Sequence, residues 1–221
     1  MHSEANSMYK KTYLLLLVLC VGVVCGSARG GDAYDEIQSA VRSGDVATIK
    51  QLLARGVDVD SVDRLGSTLL ISAANAGQLE SVKALVAAKA KINARNQYGE
   101  TALMMAAIRG HRQVVEYLIE RGAELNHEGW SPLMFAAVKG HADIARLLIG
   151  KGAKVEAVSD NGTTALMVAA KEGNMDTVLV LLERGASVNL RNQAGATALG
   201  MALAGKRRDI ANVLLRAGAE Q

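Results

Sequence analysis

The chain has 221 residues, half of them hydrophobic, with 3% aromatics, one proline and a formal charge of +3. That length holds one ordinary domain or one short repeat array, and the apolar content excludes a chain disordered by composition. The small charge argues against a nucleic-acid binder, which needs a concentrated basic surface, and a core with so few rings must be built from Ala, Leu, Val, Ile and Met, which favours packed helices over a β-sandwich.

The first element is a targeting segment. Lys10 and Lys11 precede an uninterrupted apolar run, Leu14 to Cys25, followed by Gly26-Ser27-Ala28. A basic start, a short apolar stretch and small residues before a cut are the parts of a secretory signal peptide. A bilayer span needs roughly 20 apolar residues, more than this run supplies. Residues 1–28 are therefore assigned to a signal peptide, with cleavage after Ala33 as the alternative, and residues 29–33 to a short linker. Initiation at Met8 places Met-Tyr-Lys-Lys-Thr-Tyr directly ahead of the apolar run, so Met8 is the expected start. The expected location is the periplasm. The alternatives are secretion, a lipid anchor on Cys25, which the branched Val24 disfavours, and a retained membrane anchor. Both cysteines, Cys20 and Cys25, lie in the apolar run. The mature chain then has neither disulfide nor thiol and is held by packing alone.

From Tyr34 onward the chain repeats itself. Gly66-Ser67-Thr68-Leu69-Leu70, Gly99-Glu100-Thr101-Ala102-Leu103, Gly129-Trp130-Ser131-Pro132-Leu133, Gly162-Thr163-Thr164-Ala165-Leu166 and Gly195-Ala196-Thr197-Ala198-Leu199 are one motif, recurring at intervals of 33, 30, 33 and 33 residues. Each is followed by a pair of small residues (Ala73-Ala74, Ala106-Ala107, Ala136-Ala137, Ala169-Ala170, and Ala202-Leu203 in weaker form). A glycine comes next at Gly77, Gly110, Gly140 and Gly173, and then an apolar pair such as Leu118-Ile119. Thr68, Thr101, Ser131, Thr164 and Thr197 are placed to cap an inner helix, and Pro132 suits a first helical position. The glycines suit a left-handed turn into an outer helix, which a second glycine closes at Gly56, Gly122, Gly152, Gly185 and Gly218. Lys89 and Lys206 stand where this pattern calls for glycine.

This order of parts at this period resembles the ankyrin repeat, over residues 34–221. The resemblance implies an all-α solenoid of six helix–turn–helix repeats (about 34–62, 63–95, 96–126, 127–158, 159–191 and 192–221) with short β-hairpin fingers. The first and last are read as caps, since Tyr34 to Val57 lacks a hairpin motif and Arg207, Arg208, Asp209, Asn212 and Arg216 make the last outer helix polar. Thr-Ala-Leu-Met at 101–104 and 164–167, in place of the Thr-Pro-Leu-His common in eukaryotic members, looks like bacterial ankyrin proteins.

The parts for chemistry are missing. His111 and His141 follow turn glycines and are read as structural. The mature chain has no thiol, and no phosphate-binding glycine loop is present. Met104, Met134 and Met167 recur at repeat spacing as core or groove lining. No enzyme activity, cofactor or metal is expected, and no contact with nucleic acid or, beyond export, with membrane. The expected role is that of an exported module, monomeric when unbound, that binds another protein through the concave face the resemblance implies. Inhibition of, or self-protection against, an exported cell-wall hydrolase is one alternative, and a secreted effector of host proteins another.

On that face the candidate contacts are Tyr98, Glu100 and Asn161 at finger tips, and Arg109, Lys139 and Lys171, read as a basic stripe suited to an acidic segment or simply as a solvated face. His127 and Trp130 complete the set. The 30-residue interval removes three residues from the fourth finger, where only Asn126-His127-Glu128-Gly129 stands, and the single tryptophan lies in that notch. Two readings stay open for Trp130: a filler of the vacated space, or a binding anchor beside Tyr98.

Overall fold

The computed structural model describes residues 30–220, with side chains from Ala33 onward. The expected signal peptide, the expected start at Met8, Cys20 and Cys25 lie outside the described residues.

Twelve helices follow one another among the described residues: α1 (Gly30–Ser43), α2 (Val46–Ala54), α3 (Leu69–Ala76), α4 (Leu79–Ala87), α5 (Ala102–Arg109), α6 (Arg112–Glu120), α7 (Pro132–Lys139), α8 (Ala142–Gly150), α9 (Ala165–Glu172), α10 (Met175–Glu183), α11 (Ala198–Ala204) and α12 (Arg208–Arg216). They pair as α3/α4 through α11/α12. From α3 on, the odd-numbered inner helices stack on one another, and the outer helices from α2 to α10 stack likewise. This is the expected all-α array, with one correction at its start. Residues 30–33, read as linker, are helical, because α1 begins at Gly30.

Each inner helix from α3 to α11 begins as its sequence requires. The hydroxyls of Thr68, Thr101, Ser131, Thr164 and Thr197 accept from the amides of Ile71, Met104, Met134, Met167 and Gly200 at 3.1–3.4 Å, filling donors that the helix start leaves open. Pro132 occupies the first turn of α7. The alanine pairs are fully buried between inner helices, as are Met104, Met134 and Met167. With side chains this small the helices approach closely, and aliphatic residues alone fill the core.

The turn glycines serve twice. Gly77, Gly110, Gly140 and Gly173 all have φ between 72° and 93°, which residues with a Cβ rarely adopt. Each also receives a side chain from the next repeat. His111 Nε2 donates to the Asn75 carbonyl at 3.2 Å and His141 Nε2 to that of Ile108 at 3.1 Å, while Asn174 Nδ2 reaches the carbonyls of Ala137 and Val138. These bonds fill acceptors left open at the ends of the inner helices, so His111 and His141 are structural. Where glycine is absent the backbone keeps the turn regardless: Lys89 (φ 71°) and Lys206 (φ 58°) are the positive-φ residues other than glycine among the described residues.

A second set of bonds runs forward along the outer edge. Asn93 Oδ1 accepts from the amide of Glu124, Asn126 Oδ1 from that of Lys154 and Asn189 Oδ1 from that of Glu220, at 2.8–3.0 Å. Asp60 and Glu156 do the same for Lys91 and Ser187.

Candidate partner-binding site

The fingers carry no strands among the described residues. Single bridges close two of them, Val62–Thr68 and Val158–Thr164, and polar side chains fold the tips of all but the fourth. Asp63 Oδ1 accepts from the amides of Leu65 and Ser67, Asn96 Oδ1 from those of Tyr98 and Glu100, and Asn192 Oδ1 from those of Ala194 and Ala196. Such side-chain bonds fold a short turn without a ladder. Neighbouring fingers are tied by Gln97 N to Leu65 O (3.0 Å) and by Gln193 N to Asn161 O (2.9 Å). The fourth finger is three residues short. It lacks the tip residue, and among the described residues no backbone bond ties it to either neighbour.

A cleft of about 550 Å³ opens at that break, within the range that holds small ligands or single side chains of a partner. Met104 and Ile108 of α5 and Phe135 and Val138 of α7 form its apolar lining. Tyr98 and Glu100 reach it from the third finger, Glu128 and Trp130 from the short one, and Asp160 from the fifth. Trp130 meets Phe135 edge-on, with ring centroids 5.7 Å apart and an interplanar angle of 64°, a favoured aromatic geometry. It nevertheless stays 43% exposed, and Tyr98 69%. The indole therefore packs in part without filling the notch.

Arg95, Glu128 and Phe135 line this site without having been candidates in the sequence, and Phe135 is the one whose signal was plainest. It is the chain's single phenylalanine, at a position held in the other repeats by Ser72, Met105, Val168 and Met201. That contrast was available in the sequence.

His127 is corrected as a contact residue. Its side chain is only 1% exposed. Shortening the finger draws the ring inward, where Arg95 Nη2 donates to Nδ1, and Glu124 Oε2 lies 3.4 Å from the same nitrogen. Arginine can only donate, so Nδ1 is the acceptor and the neutral ring carries its proton on Nε2. That atom is buried and has no partner among the described residues. Burial, with the Arg95 charge second, holds the imidazole below its usual range, and Glu124 opposes this in part.

The basic stripe is also corrected. Arg109, Lys139 and Glu172 are the last residues of α5, α7 and α9. Lys171 stands one residue earlier, in register with Ile108 and Val138, so an acid takes the third place in the row. All three basic residues are exposed, but Arg109 Nε donates to Asn75 Oδ1 at 2.9 Å. Asn161 is exposed at its tip, with Oδ1 accepting from Ser159 Oγ and from the amide of Thr163. Glu100 Oε2 accepts from Asn96 Nδ2 at 2.8 Å and lines the cleft.

Comparison with known proteins places this geometry. The family described as ankyrin repeats in three copies matches residues 37–128, 80–159 and 133–221. Among solved structures, the crystal structure of the human ASB11 ankyrin repeat domain is similar with a TM-score of 0.77 at 29% identity, over 83% of this chain and 84% of that one. Comparison with curated proteins finds no match. Ankyrin repeats are generic protein-binding modules, typically scaffolds without catalytic function. Capped inner helices, left-handed glycine turns, short fingers and a family match running through residues 37–221 lead to one conclusion: the chain belongs to the ankyrin-repeat family.

Proposed function

We propose that this chain is an exported, non-catalytic binding module that holds a partner protein against its concave face, centred on the cleft beside the short fourth finger. The observation that carries the reading is Trp130, 43% exposed next to Tyr98 in a chain whose buried hydrophobic core, among the described residues, holds no aromatic ring. Exposed aromatics clustered at a concave opening are what interface anchors look like before the partner arrives. Export to the periplasm is supported by the basic pair Lys10-Lys11, the apolar run and Gly26-Ser27-Ala28.

The test is capture from cell-envelope extract by the protein expressed from its full-length sequence. Trp130→Ala is expected to lose about tenfold or more in partner affinity, as truncated anchors do, with an unchanged circular dichroism spectrum. Equal capture by both forms rejects the cleft as the contact. Residues 1–28 fused to a reporter active only outside the cytoplasm check export, and a silent reporter rejects it.

A further inference from the structure

We infer that the cleft beside the short finger takes a basic side chain, arginine or lysine, from an extended segment of a partner protein, seated against Trp130, Tyr98 and Phe135 with its charge among the carboxylates of the rim. The inference rests on the reading of this face as a protein-binding surface and names what that surface selects.

The aromatic lining is the first ground. The whole sequence contains five tyrosines, one tryptophan and one phenylalanine. Three of these seven rings come together at this cleft from three separate elements, the third finger, the short finger and α7. The stack does not need them, because its buried residues are overwhelmingly aliphatic. Ring faces carry negative quadrupole density and attract cations, arginine and lysine above all.

Charge is the second ground. Glu100, Glu128 and Asp160 line the cleft, against one guanidinium, that of Arg95. Arg95 is already engaged with His127. Among the described residues the carboxylates of Glu128 and Asp160 form no ion pair and accept no hydrogen bond. Asp160 is held close over the short finger, with Oδ1 3.3 Å from where a Cβ on Gly129 would stand. Two acids beside exposed rings, without a cation of their own, are complementary to an incoming positive charge.

Shape decides between a cation and its rivals. Ile108 and Val138 offer apolar surface beneath the acidic rim, and a long basic side chain has the matching division of aliphatic stem and charged head. An apolar side chain would desolvate the rim carboxylates with nothing to replace water, and an acidic one would be repelled. What is peculiar to this repeat is the lining: the cleft between the tied second and third fingers also takes Tyr98 and Glu100, but it has Arg42 at its edge and neither tryptophan nor phenylalanine.

Trp130 is the only tryptophan, so its emission reports on the cleft alone. The probes are short Gly/Ser peptides carrying one central Arg, Lys, citrulline, norleucine or Glu, titrated into the protein expressed from its full-length sequence. The Arg and Lys peptides are expected to shift Trp130 emission saturably, about tenfold or more tighter than citrulline or norleucine. The Glu128→Gln/Asp160→Asn double variant is expected to lose that preference while keeping its Tm and its unliganded emission. Equal binding of the norleucine or citrulline peptide, a preference that survives the double variant, or no response to any peptide would overturn the inference. The two levels separate in the envelope capture. A partner that depends on Trp130 but is held equally well by the double variant removes the cation and leaves the binding surface standing. A partner set indifferent to Trp130 removes both.

Discussion

A methyl group on Gly77 would occupy the space of the His111 imidazole: a Cβ there would stand 2.5 Å from Cε1 and 2.6 Å from Nδ1. Gly56 has a similar backbone, with φ +94°, and nothing within 4 Å of the same position. The pair separates backbone strain from close approach. Gly56→Ala should cost about 1–2 kcal/mol, the left-handed penalty alone. Gly77→Ala should cost a further 1–3 kcal/mol or so for overpacking, part of which His111→Ala in the same chain recovers. Urea midpoints for the three variants check this, and equal losses at Gly56 and Gly77 would count against the contact.

Lys89 and Lys206 hold left-handed backbone, φ 71° and 58°, with exposed side chains. Glycine at either site relieves the Cβ clash and adds freedom to the unfolded chain, and the first effect is the larger. Lys89→Gly and Lys206→Gly are each expected to raise stability by about 0.5–1 kcal/mol, read as a higher Tm. A fall in Tm for both would show that the lysine side chains do something the backbone does not reveal.

His127 should make the array acid-sensitive. Its folded pKa lies below the ordinary 6.5, chiefly through burial and then through Arg95, so the folded state binds this proton less readily than the unfolded state. Stability from this residue is complete above the ordinary value and declines as pH falls through it toward the lowered one. The facing charged groups are Arg95 and Glu124. Urea midpoints between about pH 7.5 and about pH 5 should fall more steeply for the natural chain than for His127→Gln. Parallel slopes would mean that the ring titrates normally.

Thr177 carries a fully buried hydroxyl without a partner among the described residues, at a position filled by Val114, Ile144 and Ile210 in other repeats. Thr177→Val keeps the shape and removes the unmet polar group. It should stabilise by about 1 kcal/mol, and a loss in thermal melting would mean that the hydroxyl finds a partner after all.

The repeat was legible because each of its marks does local work that one residue type performs best. A hydroxyl before Leu69 or Ala102 caps a helix, and a glycine at 77 or 110 turns left-handed; even the exceptions at Lys89 and Lys206 sit where the pattern breaks. What failed depended on counting along one element or on which way a ring turns. Lys171 precedes its helix end by one residue, which is enough to leave the row formed by Arg109 and Lys139. A three-residue deletion suggests an exposed notch, but the shortened chain carries His127 inward and leaves Trp130 outside. Phe135 was hidden by treating its helix as repeat architecture, although no other repeat puts a ring there. The reach of His111 or Asn174 to the preceding repeat joins residues some 35 apart, which only the packed stack brings together.

The deletion at the fourth finger removed its ties to the neighbouring fingers but left the supports beneath it in place. Asn126 still receives the amide of Lys154, and Ser131 still caps α7. The proposed recognition surface and the cohesion of the stack thus lie in different parts of the same repeat. Fingers can be trimmed, lengthened or given new tips while the scaffold beneath keeps its register, and one array can change what it holds without relearning how to fold.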